Sequence, residues 1–80
     1  NPSTAVSFEL PAAGPVQLKV FDISGRLVRT LIAGDFRDAG IHHCTWKGRD
    51  DAGRTVAAGV YFYRLDAGIY SETRRMVLVK

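Results

Sequence analysis

A small antiparallel β-sandwich is the fold class this sequence predicts, on three observations. Glycine and proline cut the chain into short apolar runs at regular intervals. Inside most of these runs apolar and polar residues alternate, the period of a strand with one face buried. No stretch sustains a helical period.

The first strand runs from Thr4 to Leu10, with Val6, Phe8 and Leu10 on one face and Ser7 and Glu9 on the other. Pro11 and the pair Gly14-Pro15 stop it. The second, Val16 to Asp22, turns Val16, Leu18 and Val20 inward and Gln17 and Lys19 outward. Ile23-Ser24-Gly25-Arg26 then supplies a turn in which Gly25 takes the positive φ. In the third, Leu27 to Ala33, the residues Leu27, Val28, Leu31 and Ile32 cannot share one face, which predicts a bulge. Gly34 to Gly40 reads as a polar loop. The fourth strand, Ile41 to Lys47, has His42, Cys44 and Trp46 in one phase and Ile41, His43 and Thr45 in the other, with Trp46 as the core anchor. A glycine-rich connection leads to the fifth, Val60 to Ala67, where Tyr61, Tyr63 and Leu65 share a face. Gly68 turns the chain into the sixth, Tyr70 to Val79, charged in its first half and apolar from Met76 to Val79. About six strands in two facing antiparallel sheets follow.

The chain of 80 residues, 46% hydrophobic and 24% charged, has the size and composition of one globular domain. No apolar run approaches the roughly 20 residues that a membrane-spanning helix needs, which argues against membrane insertion. Asn1-Pro2-Ser3-Thr4 has neither an initiating Met nor a signal-peptide core, so the chain reads as a piece cut from a longer protein. The formal net charge of +3 is scattered, without the basic stripe and interleaved aromatics of a nucleic-acid binder. A single cysteine, Cys44, excludes an intrachain disulfide and leaves stability to packing. No internal repeat at a fixed period is visible.

Asp50 and Asp51 are the residues with most chemical promise, because adjacent carboxylates can serve acid–base work. They lie between strands with no partner group in sequence, and "DDAG" has the chemistry of a turn closing on Gly53. Calcium needs six to eight oxygens; Asp35, Asp38, Asp50 and Asp51 lack the every-second-position spacing and the closing Glu. In a strand His42 and Cys44 share a face but His43 does not, so zinc lacks a ligand set. Ser3, Ser7, Ser24 and Ser71 occupy strands or turns and not a strained nucleophile elbow. Trp46, Tyr61 and Tyr63 fall in the core phase, leaving Phe36, Phe62 and Tyr70 as candidate surface aromatics for a sugar platform. No catalytic, cofactor or metal site is therefore predicted.

Three segments taken together are more specific. Val20-Phe21-Asp22 is followed by Gly25-Arg26-Leu27-Val28-Arg29-Thr30-Leu31 and then by Trp46-x-Gly48-x-Asp50-x-x-Gly53-x-x-Val56-x-x-Gly59-x-Tyr61-x-Tyr63. This succession, extending over nearly the whole chain, resembles the FlgD-type (flagellar hook-capping) Ig-like domain and the related C-terminal sorting domains of type IX secretion substrates. Lys47 stands where that pattern commonly has an acid, Cys44 where it has an aliphatic residue, and Arg75 where Lys is frequent. The resemblance implies an all-β, antiparallel Ig-like β-sandwich of about six to seven strands, with residues 1–80 forming a single C-terminal domain behind a linker that ends in Asn-Pro. It further implies a non-catalytic module of a secreted or cell-surface bacterial protein, without cofactor, acting in export and sorting or in surface attachment. Its expected partners are secretion or surface-attachment machinery, or neighbouring domains of the parent; an assembly or adhesion role is the alternative, and carbohydrate binding a third. Gly48, Asp50, Gly53 and Gly59 then shape the connection, while Trp46, Tyr61 and Tyr63 pack on either side of it. Arg74, Arg75 and Lys80 on the final strand are the candidate recognition residues, since Met76 to Val79 offers apolar side chains to both faces beside a local positive field.

Overall fold

A computed structural model describes residues 3–80; Asn1 and Pro2, where the sequence places the end of a linker, lie outside the described residues. Six strands follow one another without a helix among the described residues: β1 (Thr4–Leu10), β2 (Gly14–Asp22), β3 (Leu27–Arg37), β4 (Gly40–Trp46), β5 (Gly59–Ala67) and β6 (Tyr70–Leu78). They form two antiparallel sheets, one of two strands in the order β1-β4 and one of four in the order β3-β2-β5-β6. The architecture is the expected all-β, Ig-like sandwich.

Alternation sets which side chains meet between the sheets. Val6, Phe8, Leu10 and Trp46 come from the small sheet. Val16, Leu18 and Val20 of β2, Tyr61, Tyr63 and Leu65 of β5, and Met76 and Leu78 of β6 come from the large one, with Val28 and Ile32 of β3. All are buried, and no polar or charged residue is buried among the described ones. Each such side chain contributes about 1.5–3 kcal/mol by leaving water, and this apolar layer holds together a domain with no disulfide.

The bulge expected in β3 is present as register shifts against β2 at Val16/Gln17, Leu18/Lys19 and Val20/Phe21. The polar loop expected over Gly34 to Gly40 is corrected: β3 continues to Arg37, paired through Asp35, Phe36 and Arg37 with Val16, Pro15 and Gly14. Gly34 makes this possible, because its φ of +87° accommodates the extra residue and keeps the ladder in step. Strand β6 ends at Leu78, one residue short of the expected Val79. Laterally, β1 lies beside β6, and β4 lies toward β3 with a cleft between them.

Candidate functional site

The connection from β4 to β5 begins at Trp46, which is 1% exposed. Its ring meets Tyr61 edge-on at 4.8 Å, and its Nε1–H donates to the Arg49 carbonyl at 2.9 Å, so the indole orders the loop that follows it. Gly48, buried with φ +70°, lets the backbone pass against Leu78. Val56 N–H donates back to the Gly48 carbonyl at 3.0 Å, closing the loop's base. Tyr61 hydroxyl donates to the Ala57 carbonyl at 2.6 Å; burial, then the Asp22 charge, raises its pKa.

Inside the loop Asp50 and Asp51 have different tasks. Asp50 Oδ1 accepts from the N–H groups of Ala52 and Arg54 at 3.0 and 2.9 Å, and its Oδ2 meets Arg54 Nε at 3.0 Å. The bond from the Arg54 N–H is the main reason its carboxyl titrates below the ordinary aspartate value. Asp51 reaches outward to β3: its N–H donates to the Val28 carbonyl and its Oδ1 accepts from the Thr30 N–H, each at 2.9 Å. Both carboxylates thus satisfy main-chain donors.

A matching turn joins β2 to β3. Asp22 Oδ1 accepts from the Ser24 N–H at 2.9 Å, the Ser24 hydroxyl at 2.6 Å and the Arg26 N–H at 3.1 Å. The Ser24 hydroxyl is the largest influence lowering its pKa. Asp22-Ile23-Ser24-Gly25-Arg26 and Asp50-Asp51-Ala52-Gly53-Arg54 share Asp-x-x-Gly-Arg, with Gly25 and Gly53 at φ +87° and +83°. In both, glycine N–H donates to the aspartate carbonyl and arginine pairs with the carboxylate. The two turns flank one cleft of about 360 Å³ lined by Arg26, Val28, Asp51 and Arg54 among others. This pairing was not among the sequence expectations, although the repeated five-residue pattern is a readable signal.

The candidate recognition residues of β6 do not form one patch. Arg75 lies across from Phe62 on the outer face of the four-stranded sheet, in a row that runs Leu27, Phe21, Phe62, Arg75 through all four strands. Beside it Val60 pairs with Val77, 36% and 50% exposed, and Val79 and Ile23 are exposed further out. Arg64 stacks its guanidinium 5.0 Å from the Phe21 centroid and binds Asp66 at 2.9 Å. Among the described residues Arg75 has no ion pair. Arg74, on the opposite phase, donates from Nε and Nη2 to Glu72 at 3.1 and 3.3 Å; those bonds raise its pKa. It lines a cleft between β1 and β6 with Ser7, Phe8, Ile41, Tyr70 and Glu72. Lys80 lies past the end of β6 and is exposed. The outer apolar row is not legible in the sequence because a ring on the solvent phase looks the same whether its cross-strand neighbours are apolar or charged.

The remaining candidates are dispersed. His42 stacks on Phe8 at 5.4 Å and bonds the Asp38 carbonyl at 2.7 Å, while His43 pairs with Ser7 Oγ at 3.0 Å on the exposed side. No carboxylate orients His43 among the described residues, and no three His, Cys, Asp or Glu side chains gather there as a metal cluster. Phe36 is 65% exposed near the end of β3, Phe62 is on the outer sheet face, and Tyr70 lies at the β1–β6 seam, so these rings share no platform.

Residues 1–71 match the FlgD Ig-like domain. The chain is 45% identical over 49 residues to the basal-body rod modification protein FlgD of Salmonella typhimurium, and equally to that of Salmonella typhi. That stretch is 61% of this chain and 21% of either relative, so the chain spans about a fifth of their length. The crystal structure of FlgD from P. aeruginosa superposes with a TM-score of 0.76 at 25% identity, over 95% of this chain and 58% of that one. With the match over residues 1–71 and the superposition on the P. aeruginosa structure in agreement, this chain belongs to the FlgD Ig-like domain family.

Proposed function

We propose that this domain is a non-catalytic structural module of a longer protein and works by protein contact in the assembly of an exported, flagellar-type or cell-surface structure. The observation that carries this reading is the outer face of the four-stranded sheet. There Phe21, Leu27, Phe62, Val60 and Val77 form a semi-apolar surface with Arg75, which has no ion pair among the described residues, at its margin. Apolar side chains grouped in this way favour a macromolecular partner, and the arginine adds orientation. The names of the Salmonella relatives, which concern the basal-body rod, support assembly as the context.

The finer reading is export or surface attachment through a sorting machinery that reads the last strand, as a C-terminal domain would allow. Arg75 and Lys80, with Val77 and Val79 beside them, are its candidate contacts; Arg74 is engaged by Glu72 and has the weaker claim. Two experiments separate the readings. In one, this domain replaces the Ig-like domain of a Salmonella FlgD and hook formation is scored; in the other, it is fused to a reporter in a host with type IX export. Assembly predicts a working chimera that Arg75→Glu with Val77→Asp disables while circular dichroism shows the fold intact, and no reporter export. Export that depends on Arg75 and Lys80 would put sorting first, and a chimera indifferent to the outer-face changes would sink the proposed surface.

A further inference from the structure

Four strands end the two sheets: β1 and β4 in the small one, β3 and β6 in the large one. A bare edge offers unpaired N–H and C=O groups to any extended chain, so proteins cover it, bend it or charge it. Three of these edges are treated in that way. β3 is bulged, and Asp51 occupies its rim through Val28 and Thr30. β1 lies beside β6, and its Ser7 carbonyl accepts from the Tyr63 hydroxyl at 3.2 Å. β6 carries Glu72, Arg74 and Arg75.

β4 has none of these devices. Gly40–Trp46 contains no proline, acid, lysine or arginine, and its ladder with β1 runs without a register shift. Beyond that ladder no main-chain hydrogen bond involves it among the described residues; the bonds from His42, His43 and Trp46 leave through side chains. This edge also borders the thin side of the core, because two strands face four. Leu31 and Cys44 are half-buried there, at a cleft of about 350 Å³ that also meets Thr45, Trp46 and three cations. Those are Arg29, Lys47 and Arg49. Arg29 has one acid within reach, Asp51 at 4.0 Å, and Lys47 and Arg49 have no carboxylate partner among the described residues.

We propose that the open edge of β4 is a strand-addition site for an extended segment of another protein in which apolar and acidic residues alternate. Its main chain pairs with Gly40–Trp46, its apolar side chains close over Leu31 and Cys44, and its acids face the Lys47–Arg49 rim. The added strand widens the small sheet to three and completes the seven strands common in Ig-type sandwiches. Charge selects this occupant over a second copy, since a second β4 edge carries no acid and would bring no carboxylate to the cationic rim. The site lies away from the outer sheet face, so either surface can fail alone.

Cys44, the single cysteine, supplies a local readout. The 80-residue chain is titrated with an alternating valine–glutamate peptide of about nine residues, within the usual range of strands and long enough to span the seven of β4, with lysine-for-glutamate and central-proline versions beside it. Amide shifts, amide exchange and the rate of Cys44 reaction with a thiol reagent are followed. Saturable binding is expected, with slowed exchange confined to β4 and Cys44 reacting about tenfold more slowly at saturation. The lysine and proline peptides should bind about tenfold more weakly, and Lys47→Glu should narrow the gap between the glutamate and lysine peptides. Binding that maps to β3 or β6, self-association through β4 in place of peptide capture, or no saturable change up to millimolar peptide would each overturn the proposal.

Discussion

Replacing Gly48 with alanine adds one methyl group where backbone and packing both oppose it. Gly48 sits at φ +70°, in the left-handed region, and a Cβ there would lie 3.1 Å from Leu78 Cδ2 and 3.3 Å from Cδ1. Leu78 is 1% exposed, so it has little room to retreat. The left-handed conformation costs a non-glycine residue about 1–2 kcal/mol, and overpacking a core typically about 1–3 kcal/mol. The sum, roughly 2–5 kcal/mol, is comparable to what a single core of this size supplies. Gly53→Ala is the control: its φ is +83°, yet nothing lies within 4 Å of the added Cβ, so it should lose only the conformational part, about 1–2 kcal/mol. Leu78→Val in the Gly48→Ala background should return part of the loss, giving a non-additive cycle. Urea unfolding followed by Trp46 fluorescence measures all of these variants, because each keeps the single tryptophan. Gly48→Ala no worse than Gly53→Ala, or strict additivity with Leu78→Val, would refute the packing argument.

Trp46→Ala should destabilise by about 3–5 kcal/mol and leave much of the population unfolded, measured by far-UV circular dichroism because the fluorophore is gone; near-wild-type melting would place the ring outside the core. Asp22 and Asp50 are held below the ordinary aspartate pKa by the bonds they accept, and Asp66 is held below it by Ser71 and Arg64 despite an opposing desolvation. Depressed folded values mean that this stabilisation is full above about pH 4 and is lost as the pH falls through them, so the melting temperature should drop as the pH falls below about 4. Asp50→Asn should flatten that acid dependence, and an unchanged profile would count against the assignment. Millimolar calcium should leave the melting temperature unaltered, since both loop carboxylates already serve main-chain donors; a saturable rise lost in Asp50→Asn would reverse that reading.

Alternation along each strand depends only on neighbouring residues, which is why the inward faces of β1, β2, β4 and β5, the burial of Trp46 and the turn at Gly25 were legible in the sequence alone. The turn chemistry of Asp50 was legible for the same reason, because its partners Ala52 and Arg54 are two and four residues away. Contacts between distant segments were not. Asp51 bonds Thr30 across 21 positions, and β3 runs on to Arg37 because β2 is there to pair with it beyond the Gly34 bulge. Arg74 and Arg75 looked like one positive field as neighbours in the chain; the sheet turns them to opposite faces and gives Glu72 to only one of them. Sequence alone determined which side chains share a face, through the two-residue period of a strand. Tertiary structure decided what each face and edge meets, because strand pairing order and edge cover are set by hydrogen bonds and burial between segments that carry no local mark of one another.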